Sequence, residues 1–178
     1  MSRLAVITVG LLALVVVATA TATERHTANI QPSERVRGML VVQGPVTRAQ
    51  TTLFGPYCEP VLRTFGRHRR TCRDVPPVRR LFVGYGIFGP QAAVARAWKP
   101  QDWSMWIDGE RVSLDEFGTA DRMLWAYPPA GGKDVTLREW SVILAHPTPG
   151  RHTIRYRIRQ PQGITDATWV FNVAQPKS

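Results

Sequence analysis

The sequence predicts an all-β chain built as an antiparallel sandwich or barrel. Three observations carry that. Short apolar runs are separated by turns, in a chain with 14 Gly and 14 Pro. Several of those runs alternate strictly between apolar and polar residues, the period of a half-buried strand. No convincing amphipathic helix and no internal repeat interrupts them. Many short strands with Gly/Pro turns, in a chain of this size, are how sandwiches and barrels are written.

The elements follow in order. Arg3 precedes an apolar stretch from Leu4 to about Ala18, and Ala18-Thr19-Ala20 and Ala20-Thr21-Ala22 both fit a signal-peptidase site. Residues 1–22 are therefore expected to be a cleaved signal peptide; a retained N-terminal anchor is the alternative. The stretch is short for a bilayer span of about 20 residues. Residues 23–36 are polar and are expected to form a flexible linker. The folded domain is expected over 37–175, a length that can bury a sizeable core.

Within it, Met39 to Val42 and Val46 to Phe54 read as two strands around Gly44-Pro45. Residues 55–79 are the least regular part and hold Cys58 and Cys72. Leu81 to Phe88 reads as a strand with glycines that imply a bulge or close packing. Gln91 to Trp98 fits a helical turn or two. Trp103, Met105 and Ile107 then share one strand face, and Asp108-Gly109 makes a hairpin turn. Tyr127 to Asp134 is a loop. Trp140, Val142 and Leu144 share the next inner face. Pro147 to Gly150 turns the chain into RHTIRYRIRQ, and Trp169, Phe171 and Val173 line the last strand.

The run WSVILAHPTPGRHTIRYRI followed by TWVFNV resembles the closing strands of bacterial extracytoplasmic immunoglobulin-like modules, over roughly residues 103–174. The resemblance implies an antiparallel Ig-like β-sandwich, here with an irregular disulfide-tied loop. It carries no catalytic motif, and the inter-sheet Cys pair of antibody domains is missing, since both cysteines lie upstream in one loop.

Charge and cysteines bound the setting. The chain has 23 basic and 13 acidic residues, a net charge of +10. An exported chain with two cysteines is expected to form one disulfide, Cys58–Cys72, closing a loop of about 15 residues that contributes roughly 3 kcal/mol. The chain is accordingly expected to be secreted or extracytoplasmic, and to meet a membrane only through an uncleaved N-terminal segment. Nucleic acid is a poor partner for an exported protein. An acidic envelope polymer or an acidic protein fits the positive charge.

Four features are candidates for carrying function. In RHTIRYRIRQ, His152, Ile154, Tyr156 and Ile158 alternate with Arg155, Arg157 and Arg159, which predicts a row of guanidinium groups on a solvated face. The cysteine loop adds Arg63, Arg67, Arg69 and Arg70, and a cross-linked loop loses less entropy on binding. Trp106 falls on the polar face of its strand, which keeps a carbohydrate-binding module as an alternative, with a glycan as partner. The acidic stretch Asp108 to Asp121 lacks the spacing of a calcium loop and reads as turn chemistry. Neither a metal nor another cofactor is expected. The sequence has no G-x-S-x-G, H-E-x-x-H or Gly-rich phosphate loop, so a binding or structural module of the cell envelope is expected rather than an enzyme. An unrecognised hydrolase is the remaining alternative.

Overall fold

The computed structural model describes residues 29–47, 50–61 and 65–176. The expected signal segment 1–22, the first part of the expected linker and Arg63 lie outside the described residues.

Strands dominate. In chain order they are β1 (Arg35–Val36), β2 (Met39–Gln43), β3 (Thr51–Thr52), β4 (Gly66–Thr71), β5 (Arg80–Phe82) and β6 (Gly86–Gly89), then helix α1 (Gln91–Trp98). There follow β7 (Asp102–Ile107), β8 (Glu110–Val112), the short helix α2 (Leu114–Phe117), β9 (Thr119–Tyr127), a 3-10 turn (Pro128–Ala130), β10 (Lys133–Trp140), β11 (Val142–Ala145), β12 (Gly150–Gln160) and β13 (Gly163–Val173). They form three sheets of order β1-β2-β11-β5-β3, β6-β10-β9 and β4-β13-β12-β7-β8. The all-β expectation holds. The pairing is not wholly antiparallel, because β4 runs parallel to β13 and β3 parallel to β5.

The two five-stranded sheets bury one face each in a shared core. Met105, Ile107, Ile154, Tyr156, Trp169 and Phe171 come from one sheet; Val41, Leu81, Val142 and Leu144 come from the other. The alternation in β12 is why: His152, Ile154, Tyr156 and Ile158 are all buried, while the residues between them face out. Trp103, Trp140 and Trp169 are buried as expected. Burying an aromatic or branched side chain stabilises by about 1.5–3 kcal/mol, so this face sets the register of the longest hairpin, in which Gly150 to Gln160 pair with Val173 to Gly163.

Three sequence expectations are revised. Val46 to Phe54 is not a continuous strand: among its described residues the strand β3 covers Thr51–Thr52, and Phe54 makes an isolated bridge to Cys58. The cysteine loop is not irregular throughout, because it contains β4. The expected linker is structured at its end: Ile30 is buried and bridges Val112, and β1 pairs with β2.

The three-stranded sheet leans on close backbone contact. A Cβ at Gly84 would lie 1.9 Å from the Trp140 carbonyl oxygen, and one at Gly86 would lie 1.8 Å from the Arg138 carbonyl oxygen. Only glycine lets β6 approach β10 so nearly.

Candidate functional site

The outer face of the sheet β4-β13-β12-β7-β8 carries most of the residues singled out in the sequence. Register places Arg155 between Thr168 and Trp106, Arg157 between Asp166 and Ser104, and Arg67 and Arg69 beside Asp166 and Thr168. Arg155, Arg157, Arg159, Arg67, Arg69 and Trp106 therefore share one face. Arg70 is in register with the buried Trp169 and sits on the other side of β4.

That face is not a free strip of charge. Arg155 donates from Nε and Nη2 to the two oxygens of Asp166, at 2.7 and 2.6 Å. The arrangement is a bidentate pair across the β12–β13 hairpin, the strongest geometry for this ion pair. Its hydrogen bonds hold the Asp166 carboxyl below the usual range. The same guanidinium lies 4.7 Å from the centre of the Trp106 ring. Arg157 is half-buried, and its Nε is enclosed without a hydrogen-bond partner. Of the four β12 arginines, Arg151 and Arg159 at the strand ends are exposed, and Arg155 and Arg157 between them are half-buried. Trp106 is half-buried, with Arg155 over its ring. Asp166 is eleven residues from Arg155 and reaches it through the hairpin register, so a carboxylate on the adjacent strand neutralises part of the arginine row.

The cysteine loop is held at both ends of its strand. Cys58 and Cys72 are bonded, with Cα atoms 4.6 Å apart. Trp169 donates its indole N–H to the Glu59 carbonyl at 2.8 Å, and Arg73 reaches the Pro56 carbonyl. Arg67, Arg69 and Arg70 are exposed on this edge.

At the expected turn, Asp108 and Gly109 take positive φ values of 50° and 91°. The Asp108 carboxylate accepts from His152 Nδ1 and from the Thr153 N–H, both at 2.7 Å, and His152 Nε2 donates to the Thr148 carbonyl at 2.8 Å. Two acceptors require both ring nitrogens to donate, so the ring is the imidazolium. Burial pulls its pKa down, but the Asp108 hydrogen bond, the Thr148 carbonyl and the Asp108 charge outweigh it and leave it raised. His152 is a structural cation. Among the described residues no group of three His, Cys, Asp or Glu side chains is placed to hold a metal.

The feature with no signal in the sequence reading is the β9–β10 hairpin. Strand β9 is an edge, exposed along most of its length. Trp125 is 75% exposed and Met123 47%. Between Leu124↔Val135 and Tyr127↔Lys133 the register shifts, so Trp125 and Ala126 together oppose Asp134 alone. Ala126 sits at φ 45°, and its N–H donates to Asp134 Oδ1 at 2.8 Å. A bulge re-aims the side chain it carries. A left-handed alanine costs about 1–2 kcal/mol, and strain of this kind gathers at functional positions. The visible cue was TADRMLWAY and KDVTLREW, two runs of similar length around PPAGG.

Two cavities flank β6. One, about 270 Å³, lies between the hairpin and the Phe54 turn, walled by Phe82, Phe88, Leu124 and Leu137. Glu139 lines it, nearly buried, and accepts from Arg122 Nε at 2.7 Å. Burial pushes the Glu139 carboxyl up despite that pairing. The other, about 410 Å³, lies between β6, α1 and the end of the β12–β13 hairpin.

Comparison with protein-family models gives no match. Comparison with curated protein sequences gives none either. Three solved structures show weak likeness. PbICP-C, from its complex with falcipain-2, is 15% identical with a TM-score of 0.33, over 70% of this chain and 98% of that one. The cysteine protease inhibitor EhICP2 from Entamoeba histolytica is 12% identical with a TM-score of 0.30, over 60% and 95%. Amebosin is 13% identical with a TM-score of 0.26, over 61% and 99%. These are not bacterial extracytoplasmic immunoglobulin-like modules, and the family expectation is corrected accordingly. With it go the envelope-module role, the carbohydrate-binding and hydrolase alternatives, and an acidic polymer, acidic protein or glycan as partner.

Proposed function

We propose that the chain is an exported, non-enzymatic protein-binding module of Ig-like sandwich architecture, which engages a protein partner with the β9–β10 hairpin. The observation that carries this is Trp125, 75% exposed on a bulge beside the positive-φ Ala126. Tryptophan is the residue most enriched where a few side chains supply most of an interface's energy. Met123, two residues earlier on the same strand, extends the apolar stripe. The disulfide supports an oxidising compartment, and no helix among the described residues is long and apolar enough to cross a membrane.

The weak structural likenesses carry no argument about partner; they supply the first probe, a cysteine protease. The test titrates the chain into falcipain-2 and follows peptide hydrolysis. Inhibition that weakens at least tenfold in Trp125→Ala, with unfolding free energy moved by under about 0.5 kcal/mol as for an exposed site, is the expected result. Inhibition indifferent to Trp125 would refute the hairpin. No inhibition by the native chain would remove the protease.

A further inference from the structure

We propose that Met123 is an oxidation site: a hydroperoxide converts its thioether to the sulfoxide and so removes apolar surface from the hairpin that carries Trp125. The resulting loss of partner binding rests on the hairpin reading above; the oxidation itself does not.

The first ground is the sulfur inventory. The chain has four methionines and two cysteines. Met1 lies outside the described residues. Met39 and Met105 sit in the core at 0% exposure. Cys58 and Cys72 are bonded to each other, and the described residues include no free thiol. Met123 is 47% exposed. A buried sulfur waits for the chain to open before it reacts, whereas an exposed thioether meets the oxidant in the folded state.

The second ground is where the sulfur points. Met123 pairs with Thr136, and Leu124 with Val135, in regular register up to the bulge. Arg122 and Leu124 line the 270 Å³ cavity on one side of β9. Alternation along the strand then puts Met123 and Trp125 on the other side, and both are exposed. Side chains two residues apart on a strand are about 6.6–6.8 Å apart, so an oxygen added at the sulfur enters the same patch as the indole. The charged neighbours on that face, Asp121 and Arg138, hold each other through two hydrogen bonds of 2.7 Å. Met123 is the oxidisable group between that ion pair and Trp125.

The step balances without help from the protein. A sulfur lone pair attacks one peroxide oxygen, an S–O bond forms, and the O–O bond breaks. The sulfur gives up an electron pair to the peroxide. The proton of the transferred hydroxyl passes to the departing oxygen, which leaves as water from hydrogen peroxide or as an alcohol from an organic one. The product is a polar, chiral sulfoxide. Drying its oxygen to re-enter an apolar contact costs free energy that the thioether does not incur.

The experiment treats the folded full chain with hydrogen peroxide, quenches with free methionine, and maps the added oxygen by peptide fragmentation. Oxidation at Met123 is expected at least tenfold faster than at Met39 or Met105, with the difference erased in guanidinium. On a phenyl column the oxidised chain should be retained less than the untreated one. Met123→Leu should elute alike before and after peroxide, and untreated Met123→Gln should shift as the oxidised chain does. Equal oxidation of the three methionines, oxygen on Trp125 in place of Met123, or unchanged retention would each overturn the proposal. After peroxide is removed, inhibition of falcipain-2 should be weakened at least tenfold, and Met123→Leu should show no such change on treatment. An inhibiting chain that inhibits equally well with its Met123 oxidised would overturn the effect on binding. A native chain that never inhibits counts against the protease alone, since mapping and retention are read without it.

Discussion

Strands β4 and β9 are both sheet edges, and each exposes most of its residues, yet they are built in opposite ways. Strand β4 holds Arg67, Arg69 and Arg70 within six residues and is pinned by the bond from Cys72 to Cys58. Strand β9 holds Met123, Leu124 and Trp125 in a row, is bulged, and has no cross-link. An unpaired strand edge is a template for another chain, and charge is a standard guard. The guarded edge repels copies of itself. The unguarded one keeps apolar surface that a solitary protein has no use for. The difference sets a charged, cross-linked edge against an apolar, bulged one, and the proposed partner contact rests on the second.

Four measurements break or sharpen that contrast. The largest effect belongs to the β4 side. Cys58→Ser with Cys72→Ser should lower unfolding free energy by about 3 kcal/mol, the loop-closure value. Amide exchange should then rise in β4 while β9 is unchanged; a uniform rise would deny that the edges are independently held. Next, Asp166→Ala leaves Arg155 without its carboxylate. The pair is partly exposed, so about 1–2 kcal/mol is expected in thermal unfolding. Unchanged Tm would mean the pair is idle. On the β9 side, Ala126→Gly should raise stability by roughly 1 kcal/mol, since glycine accepts positive φ without strain. A loss instead would show that Ala126 contributes by packing.

The smallest shift is a control remote from both edges. His152 has a folded pKa above its ordinary value, so its stabilisation is complete below about pH 6.5 and is lost as pH rises through the folded pKa. Asp108 has a folded pKa below its ordinary value, so its share is present above about pH 3.9 and is lost as pH falls through the folded pKa. Tm should fall from near-neutral toward alkaline pH in the native chain. In His152→Asn that component of the slope should vanish.

What was legible in the sequence were the parts where one face of a strand is buried. His152, Ile154, Tyr156 and Ile158 announce β12 because the core enforces period two. Asp108-Gly109 announces its turn because few residues tolerate two positive φ values in succession. The cysteine pair follows from count and compartment. An edge strand exposed on both sides has no such pattern. Arg67-His68-Arg69-Arg70 reads as a charged loop, although hydrogen bonding to β13 makes it a strand. Strand β9 hides for a second reason: the extra residue at Trp125–Ala126 breaks the alternation that would have revealed it. The bidentate contact of Asp166 on Arg155 forms only once the hairpin closes in its particular register.

The glycines of β6 have a consequence beyond strand spacing. Tyr85, Gly86 and Phe88 border both cavities, so a single backbone is the partition between them. Any methyl group at position 84 or 86 must push that partition off its neighbour, and both chambers then lose the same wall in one stroke. The chambers are thus a joint inheritance of two hydrogen atoms where every other amino acid carries carbon.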